Sequence, residues 1–426
     1  SANPTGPLHI GHGRGAAVGD TLARILTAAG FDVEAEYYIN DVGNQMNILG
    51  TSVLLRYKEL YGMETSFPEH GYKGEYIGEI AKTLSEIHGE NLLKEEQATA
   101  IQICREFASS LIFDEIKADL EGFNVHFDHY FSESSLYDDN KVEDTLGYFK
   151  EKDLIYVDEG ALWFKTSNFG DEKDRVLQKQ DGSLTYFAPD IAYHKDKLER
   201  GFKLIIDIWG ADHHGYVPRM KAAIEALGAK PDCFHALLIQ LVSLVREGKP
   251  VNMSTRSGEF VTLKEIIDEV GKDVARYFFL MRKCDSHLVF DLDLAKKKSD
   301  ENPVFYIQYA HARICSILKN AAQQGLNPDI TQADTSVLAA GEDLELIKML
   351  ATYPDVVVSC ATDLEPHRIA FYLLELATAF HRFYNKNRVI SDDGRMTKAR
   401  LVLIDAVRQV LANALALLGI DAPESM

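Results

Sequence analysis

The sequence predicts a doubly wound α/β domain, interrupted by an inserted α+β segment and followed by an all-helical bundle. A Gly-rich loop, a helix and a strand open the chain between His9 and Ile39. A strand, loop, helix, strand pattern resumes between Lys203 and Val245. From about Asp300 the apolar residues repeat only at helical spacing.

Gly13 to Ala29 reads as a helix, with Val18, Leu22, Ile25 and Leu26 on one face and Gly30 as its stop. Val33 to Ile39 reads as a strand. Ligands of such loop, helix and strand units bind outside the carboxyl ends of the strands. Tyr76 to Ile87 and Glu95 to Glu121 read as helices, and Leu154–Val157 with Leu162–Phe164 as a hairpin turning at Asp158-Glu159-Gly160. Lys203 to Trp209 is a candidate buried strand. The loop Gly210 to Gly215 and a helix ending at Leu227-Gly228 follow. Ala236 to Val245 reads as one further strand, leading into the polar loop Arg246 to Gly258. Asn302-Pro303 is a helix start, with Pro tolerated at the first position. Long helices are expected over His367 to Asn387 and Thr397 to Leu418, and a surface loop over Gln324 to Ser336.

At 426 residues the chain is long enough for two or three domains. Hydrophobic content of 46% with 26% charged residues is an ordinary globular composition. No apolar run reaches the roughly 18 residues of a membrane helix, and no secretory signal opens the chain. The five cysteines are scattered, with no Cys-x-x-Cys pair, which argues against zinc and a disulfide framework and for a reducing cytoplasm. A net charge of −20 disfavours a general nucleic-acid surface, though a local basic face is compatible with it. Ser1-Ala2-Asn3-Pro4 runs directly into a motif, so the sequence is expected to be a piece of a longer protein.

The first motif is Pro7-Leu8-His9-Ile10-Gly11-His12-Gly13-Arg14. A helix N-terminus offers free N–H groups to an anion. Gly11 and Gly13 allow close backbone approach, and the imidazoles can donate to phosphate oxygens as charge develops. A lone His-x-x-His also occurs in metal sites and by chance. The second is the flexible loop Asn252-Met253-Ser254-Thr255-Arg256-Ser257-Gly258, where Arg256, with Lys249 nearby, can clamp a leaving pyrophosphate. Taken alone it is an ordinary turn. His213-His214 lacks a third ligand at metal-site spacing.

His9 to His12 resembles the HIGH motif of class I aminoacyl-tRNA synthetases, and Met253-Ser254 sits where their KMSKS loop would. Ser1 to His9, Trp209-Gly210-Ala211-Asp212-His213-His214-Gly215-Tyr216 and Asp273-Val274-Ala275-Arg276-Tyr277-Phe278 are similar to the bacterial arginyl-tRNA synthetase family, over the whole chain. The resemblance implies a Rossmann-type catalytic domain over residues 1–300, with an insertion at about 45–180 and a signature-loop and stem-contact region at about 246–300. An all-α anticodon-binding bundle over 301–426 follows. It implies catalytic roles for His9, His12, Lys249 and Arg256, and ATP contacts from Gly11, His12, Gly13, Asp212, His213, Met253 and Ser254. Asn3 and His9 match residues that hold the α-amino and carboxylate groups of arginine; Tyr186 and Asp190 match the guanidinium pair, with Asp212 an added pocket residue. A carboxylate can take the planar guanidinium bidentately, which a lysine cannot reproduce. Tyr309, His311, Arg313, Tyr384 and Arg388 are expected to meet tRNA through stacking and phosphate contacts; Lys386 and Arg388 also suit a helix C-terminus.

The implied substrates are L-arginine, ATP accompanied by Mg²⁺, and tRNA(Arg), with no zinc and no membrane, and a monomer acting in the cytoplasm. Activation should need the cognate tRNA. The family's loop lysine is Asn252 here, and Thr255 replaces a second lysine. The family's N-terminal domain and first strand, with its acidic pocket residue, are expected to be missing. A class I synthetase of another specificity, a small nucleotidyltransferase and a non-catalytic tRNA-binding fragment remain the alternatives on sequence alone.

Overall fold

The computed structural model describes residues 1–251, 261–339 and 341–426. Helix α1 (Ile10–Ala28) buries Val18, Leu22, Ile25 and Leu26 as its periodicity requires. Gly30 follows at φ 92°, a left-handed conformation that glycine adopts without strain. Strand β1 (Glu36–Ile39) starts three residues later than Val33 because its partner, β2 (His129–Ser132), supplies only four residues of parallel ladder. The crossover between them carries α2 (Asn44–Leu60), α3 (Glu75–His88) and α4 (Gln97–Gly122).

After β2 come α5 (Ser134–Asp138) and α6 (Lys141–Glu151), then the antiparallel strands β3 (Ile155–Asp158), β4 (Ala161–Phe164) and β5 (Arg175–Gln178). Asp158 pairs with Ala161 across Glu159 and Gly160, both at positive φ, the backbone of a two-residue hairpin turn. Helix α7 (Phe187–Glu199) has Pro189 in its first turn, where a missing N–H costs nothing. Strand β6 (Ile205–Gly210), helix α8 (Val217–Ala226) and strand β7 (Phe234–Ile239) form the second parallel pair. Gly15 and Gly19 of α1 face Ile208 of β6, leaving room for close packing.

The single strand expected over Ala236 to Val245 is two. β7 stays with β6, while β8 (Val242–Arg246) joins a separate sheet with β9 (Lys249–Pro250) and β10 (Leu288–Asp291). The break falls at Gln240-Leu241, where the Gln240 carbonyl turns to Arg14 and its N–H to the Cys284 carbonyl. Between β9 and β10 lie α9 (Leu263–Val270), capped by Thr262, and α10 (Lys272–Leu280). Helix α11 (Leu292–Ala295) leads to the bundle of α12 (Pro303–Gln323), α13 (Gly341–Asp363), α14 (His367–Lys386) and α15 (Gly394–Leu417). Asn302 caps α12 with Pro303 next, as expected, and α15, capped by Asp393, starts at Gly394, three residues before Thr397.

Two hydrophobic cores result. The larger joins α1 to α4, the α9–α10 region and the whole bundle; the smaller, from Leu136 to Phe234, lies under α6, α7 and β3 to β5. Helices α2 to α4 therefore pack with α1 and β1 and share no core with the β3–β5 sheet, although both fall in the expected insertion.

Candidate active site

His9 is the N-cap of α1. Its Nδ1 accepts from the N–H groups of Gly11 and His12 at 3.1 and 3.2 Å, and the His9 N–H donates to His12 Nδ1 at 3.2 Å. The two rings stack with centroids 3.5 Å apart. Burial pushes both imidazoles down, His12 to about 3, so the stacked pair is neutral. With Nδ1 accepting, the ring hydrogen of His12 sits on Nε2, a donor suited to a phosphate oxygen. A Cβ on Gly11 would come within 3.0 Å of the His9 ring. Gly13 is a correction to the sequence reading: it is buried, and a Cβ there would lie 2.6 Å from Leu263, so it serves helix packing rather than approach to a nucleotide.

Residues just after the second motif pair with this loop. His9 bridges Thr262, the Ile10 N–H donates to the Val261 carbonyl at 3.3 Å, and the Leu263 N–H to the Leu8 carbonyl at 2.7 Å. Lys249 is exposed on β9, opposite Arg246. Met253, Ser254 and Arg256 lie outside the described residues, with Asn252 and Thr255.

The carboxyl ends of β1, β2 and β6 gather an acidic pocket. Asp190, in the first turn of α7, accepts from the Tyr216 hydroxyl at 2.5 Å; burial pushes its carboxyl up, and Tyr216 and His194 oppose that. Glu133 is 4% exposed and pushed up to about 7 by burial, with Asp190 and Asp41 adding to it. Burial raises the Tyr38 phenol, which also faces the carboxylates of Glu133 and Asp190. Asp41 accepts from the Ser134 N–H and the Ser132 hydroxyl, tying the ends of β1 and β2 together. Three carboxyl groups within one partly buried pocket favour a cationic ligand. Tyr186 precedes α7 and is 66% exposed at the rim. Asn3 reaches the same end of β1: its amide donates to Gln45 at 2.6 Å, and Ser1 Oγ accepts from the Tyr38 N–H at 2.9 Å. Asp212 and His213 are exposed in the turn after β6, their side chains 3.7 Å apart.

Sequence reasoning missed Glu133, Asp41 and Tyr38. They are ordinary acids and a tyrosine in the linear string, and only the pairing of β1 with β2 brings them beside Asp190. Tyr216 does close the string that begins at Trp209.

On the bundle, Arg313 lies over the rings of Tyr309 and Tyr384, at 4.5 and 4.9 Å, and donates to the Tyr309 hydroxyl at 2.7 Å. Both tyrosines are more than a third exposed. Arg388 is exposed, whereas Lys386 is engaged by Glu342 at 2.6 Å and Arg382 by Glu345 at 2.9 Å. His311 is a correction: it is 3% exposed and bonded to the Pro423 carbonyl at 2.9 Å, so it anchors the C-terminal segment and offers nothing to tRNA. Among the described residues no helix is long and apolar enough to cross a membrane, and no group of three or more His, Cys, Asp or Glu is placed to hold a metal ion.

Residues 1–288 match the catalytic domain of tRNA synthetases class I (R), and residues 307–426 the DALR anticodon binding domain. The arginine–tRNA ligase of Desulfosudis oleivorans is 56% identical over 100% of this chain and 77% of its own length. That of Citrifermentans bemidjiense is 55% identical, with 100% and 77% covered. A Campylobacter jejuni crystal structure assigned to the arginyl-tRNA synthetases superposes with a TM-score of 0.92 at 41% identity, covering 100% of this chain and 92% of that one. A catalytic match over two thirds of the chain, an anticodon-domain match over residues 307–426 and relatives above half identity lead to one conclusion: this chain belongs to the class I arginyl-tRNA synthetases.

Proposed function

We propose that the chain activates arginine with ATP and transfers it to the 3′-terminal adenosine of tRNA(Arg). It is an arginine–tRNA ligase, as its curated relatives are. The observation that carries the site assignment is the acidic pocket of Asp190, Glu133 and Asp41 at the carboxyl ends of the parallel strands. A guanidinium is the cation whose planar fork a carboxylate can hold bidentately. Asp190 and Glu133 take the guanidinium, with Tyr186 over it at the rim. Asn3 and His9 hold the α-amino and carboxylate end, and Asp212 lines the pocket mouth.

ATP lies along Gly11, His12 and the turn at Asp212-His213, with its phosphates towards the N-terminus of α1. The arginine carboxylate attacks the α-phosphorus, and pyrophosphate leaves. The Nε2–H of His12 donates to a phosphate oxygen as negative charge grows on it. Met253, Ser254, Arg256 and Lys249 hold the leaving pyrophosphate. A ribose hydroxyl of the tRNA then attacks the adenylate carbonyl, and AMP departs. Magnesium would accompany ATP and would supply neutralisation of the phosphate charge. Positioning and charge stabilisation carry the rate. The catalytic domain spans 1–300, with the insertion at about 45–180, and the bundle 301–426 reads the tRNA as part of a monomer.

The test is charging of tRNA(Arg) with each of the twenty amino acids, then with Asp190→Ala. Arginine alone should be charged, and the variant should raise the arginine KM far more than the ATP KM. Equal effects on both would sink the guanidinium assignment.

A further inference from the structure

His194 lies one helical turn beyond Asp190 on α7 and is 3% exposed. Its Nδ1 stands 2.7 Å from the Asp190 carbonyl oxygen, and its Nε2 2.9 Å from Asp207 Oδ2. A carbonyl oxygen can only accept. The Asp207 carboxylate also accepts, since its other oxygen takes a 3.1 Å bond from Lys197 Nζ. Although burial works against it, Lys197 and His194 hold the Asp207 carboxyl well below its usual range. Two acceptors can be satisfied together only by a hydrogen on each ring nitrogen. The ring packs edge-on against Phe234, with centroids 5.4 Å apart, in a place where an apolar side chain would satisfy packing alone.

We infer that His194 is a positioning residue for arginine recognition, which donates from both ring nitrogens to fix the backbone of Asp190 and to hold its side chain as the carboxylate. The inference rests on the reading of Asp190 as the guanidinium acceptor. Lys197, His194 and Asp207 together leave one net positive charge behind a pocket whose mouth is acidic. Burial alone disfavours an ionised Asp190, and a cation behind it restores the charged form without competing for the face the substrate needs. Lys197 is turned to Asp207 and over the Tyr193 ring, 4.1 Å from its centroid. Facing Asp190 from the other elements are Tyr38 on β1, Glu133 after β2, Tyr137 on α5, Asp207 on β6, and His213 and Tyr216 after β6. The tyrosines are uncharged, and Glu133 and Asp207 oppose ionisation of Asp190, so the cationic help comes from His194, with His213 exposed at the rim.

The experiment measures ATP–pyrophosphate exchange, with tRNA present, for the wild type, His194→Gln, Asp207→Asn and Asp190→Asn. His194→Gln and Asp207→Asn are each expected to raise the arginine KM about ten-fold or more, the scale on which supporting hydrogen bonds tune a site, with the ATP KM within about two-fold. In His194→Gln the arginine KM should fall again as pH rises, because an unsupported Asp190 ionises later. If Asp190→Asn raises the arginine KM while His194→Gln leaves it unchanged, or raises both KM values equally, the role of His194 is overturned and the pocket reading stands. If Asp190→Asn leaves the arginine KM unchanged, the pocket reading falls and the inference with it. Should His194→Gln fail to fold, the wild type labelled with ¹⁵N in its histidine rings decides. One ring bearing hydrogen on both nitrogens, and losing one in Asp207→Asn, supports the inference; single-hydrogen tautomers throughout overturn it.

Discussion

The N-cap of α1 is a histidine where serine, threonine, aspartate and asparagine are the usual choices. Its ring does the work of a cap, and His12 returns the bond to the His9 N–H, a capping box built from two imidazoles. Capping and chemistry can therefore be separated. Asparagine caps a helix as well as any residue, so His9→Asn should keep thermal stability within about 1 kcal/mol of the wild type while adenylate formation falls. A loss of stability with activity retained would reverse the assignment. His12→Ala removes a donor aimed at developing charge, so kcat should drop about 10²-fold or more, with arginine binding little changed; unchanged aminoacylation would refute the phosphate role. On the bundle, Tyr384→Ala should weaken tRNA binding by about 1–3 kcal/mol with the same salt slope, as loss of a stacked base does. Arg388→Ala should instead lower the slope of log K against log salt by about 0.7–0.9, one phosphate contact. At this scale the sequence was legible where residues are contiguous, as in His9 to His12. It was silent on Glu133 and His194, whose chemistry comes from burial and from partners that only the fold brings beside them, and it misjudged His311, whose partner is the Pro423 carbonyl.

Elements with local punctuation were legible as well. The hairpin of β3 and β4 turns at Gly160, and α1 stops at Gly30, because positive φ at those two positions is written in glycine. Helix α13 carried no such mark, and Pro354 inside it breaks the pattern that periodicity relies on. The misread strand over Ala236 to Val245 is apolar but for Gln240 and Ser243, single polar residues that one continuous strand also tolerates, so its pattern does not mark the exchange of one sheet partner for another. The mark lies in Arg14, which is fully buried and donates to the carbonyls of Gln240, Ser286 and Lys283 at 2.8 to 2.9 Å. It satisfies the Gln240 carbonyl, which the break between β7 and β8 sets free, and the Lys283 and Ser286 carbonyls between α10 and β10, with no carboxylate in ion-pair contact among the described residues. Arg14→Met keeps the apolar stem and leaves three part-buried carbonyl acceptors without their donor. At about 1–3 kcal/mol for each unsatisfied group, the variant should lose about 3 kcal/mol or more, read as a lower urea midpoint at unchanged slope. A midpoint shift worth less than about 1 kcal/mol would mean that water reaches those carbonyls.

Across the whole molecule the catalytic region and the bundle share one core, and the polar centre of their junction is Arg276. It is fully buried on α10. Its guanidinium donates to the Leu418 carbonyl beyond α15, to the Phe123 and Asn124 carbonyls beyond α4, and to Asp20 on α1. Gly419, at φ 69°, lies so close that a Cβ there would come within 2.5 Å of the guanidinium. Around it Asp273 accepts from Gln308 on α12, and the Tyr277 hydroxyl donates to the Ala370 carbonyl on α14. The string Asp273 to Phe278 thus lies within the catalytic match yet faces the bundle, which explains why sequence alone could see the string and not its task. The order of regions was legible from periodicity, whereas the junction depends on four stretches of chain meeting at one side chain. Arg276→Met leaves the shared apolar surface but removes the donor from three carbonyls and one of two cations from Asp20, which keeps Arg24 at 2.8 Å, a change that should cost about 3 kcal/mol at about 1–3 kcal/mol for each acceptor left unsatisfied. If Arg276 is what makes α1, α4 and the end of α15 melt together, calorimetry of the variant should show the bundle separating as its own transition. The aminoacylation rate should then fall more than adenylate formation, because the tRNA is held by the part that has come loose. A lower but still single transition, with both steps slowed alike, would assign the cooperativity to the apolar core and leave Arg276 as one contact among many.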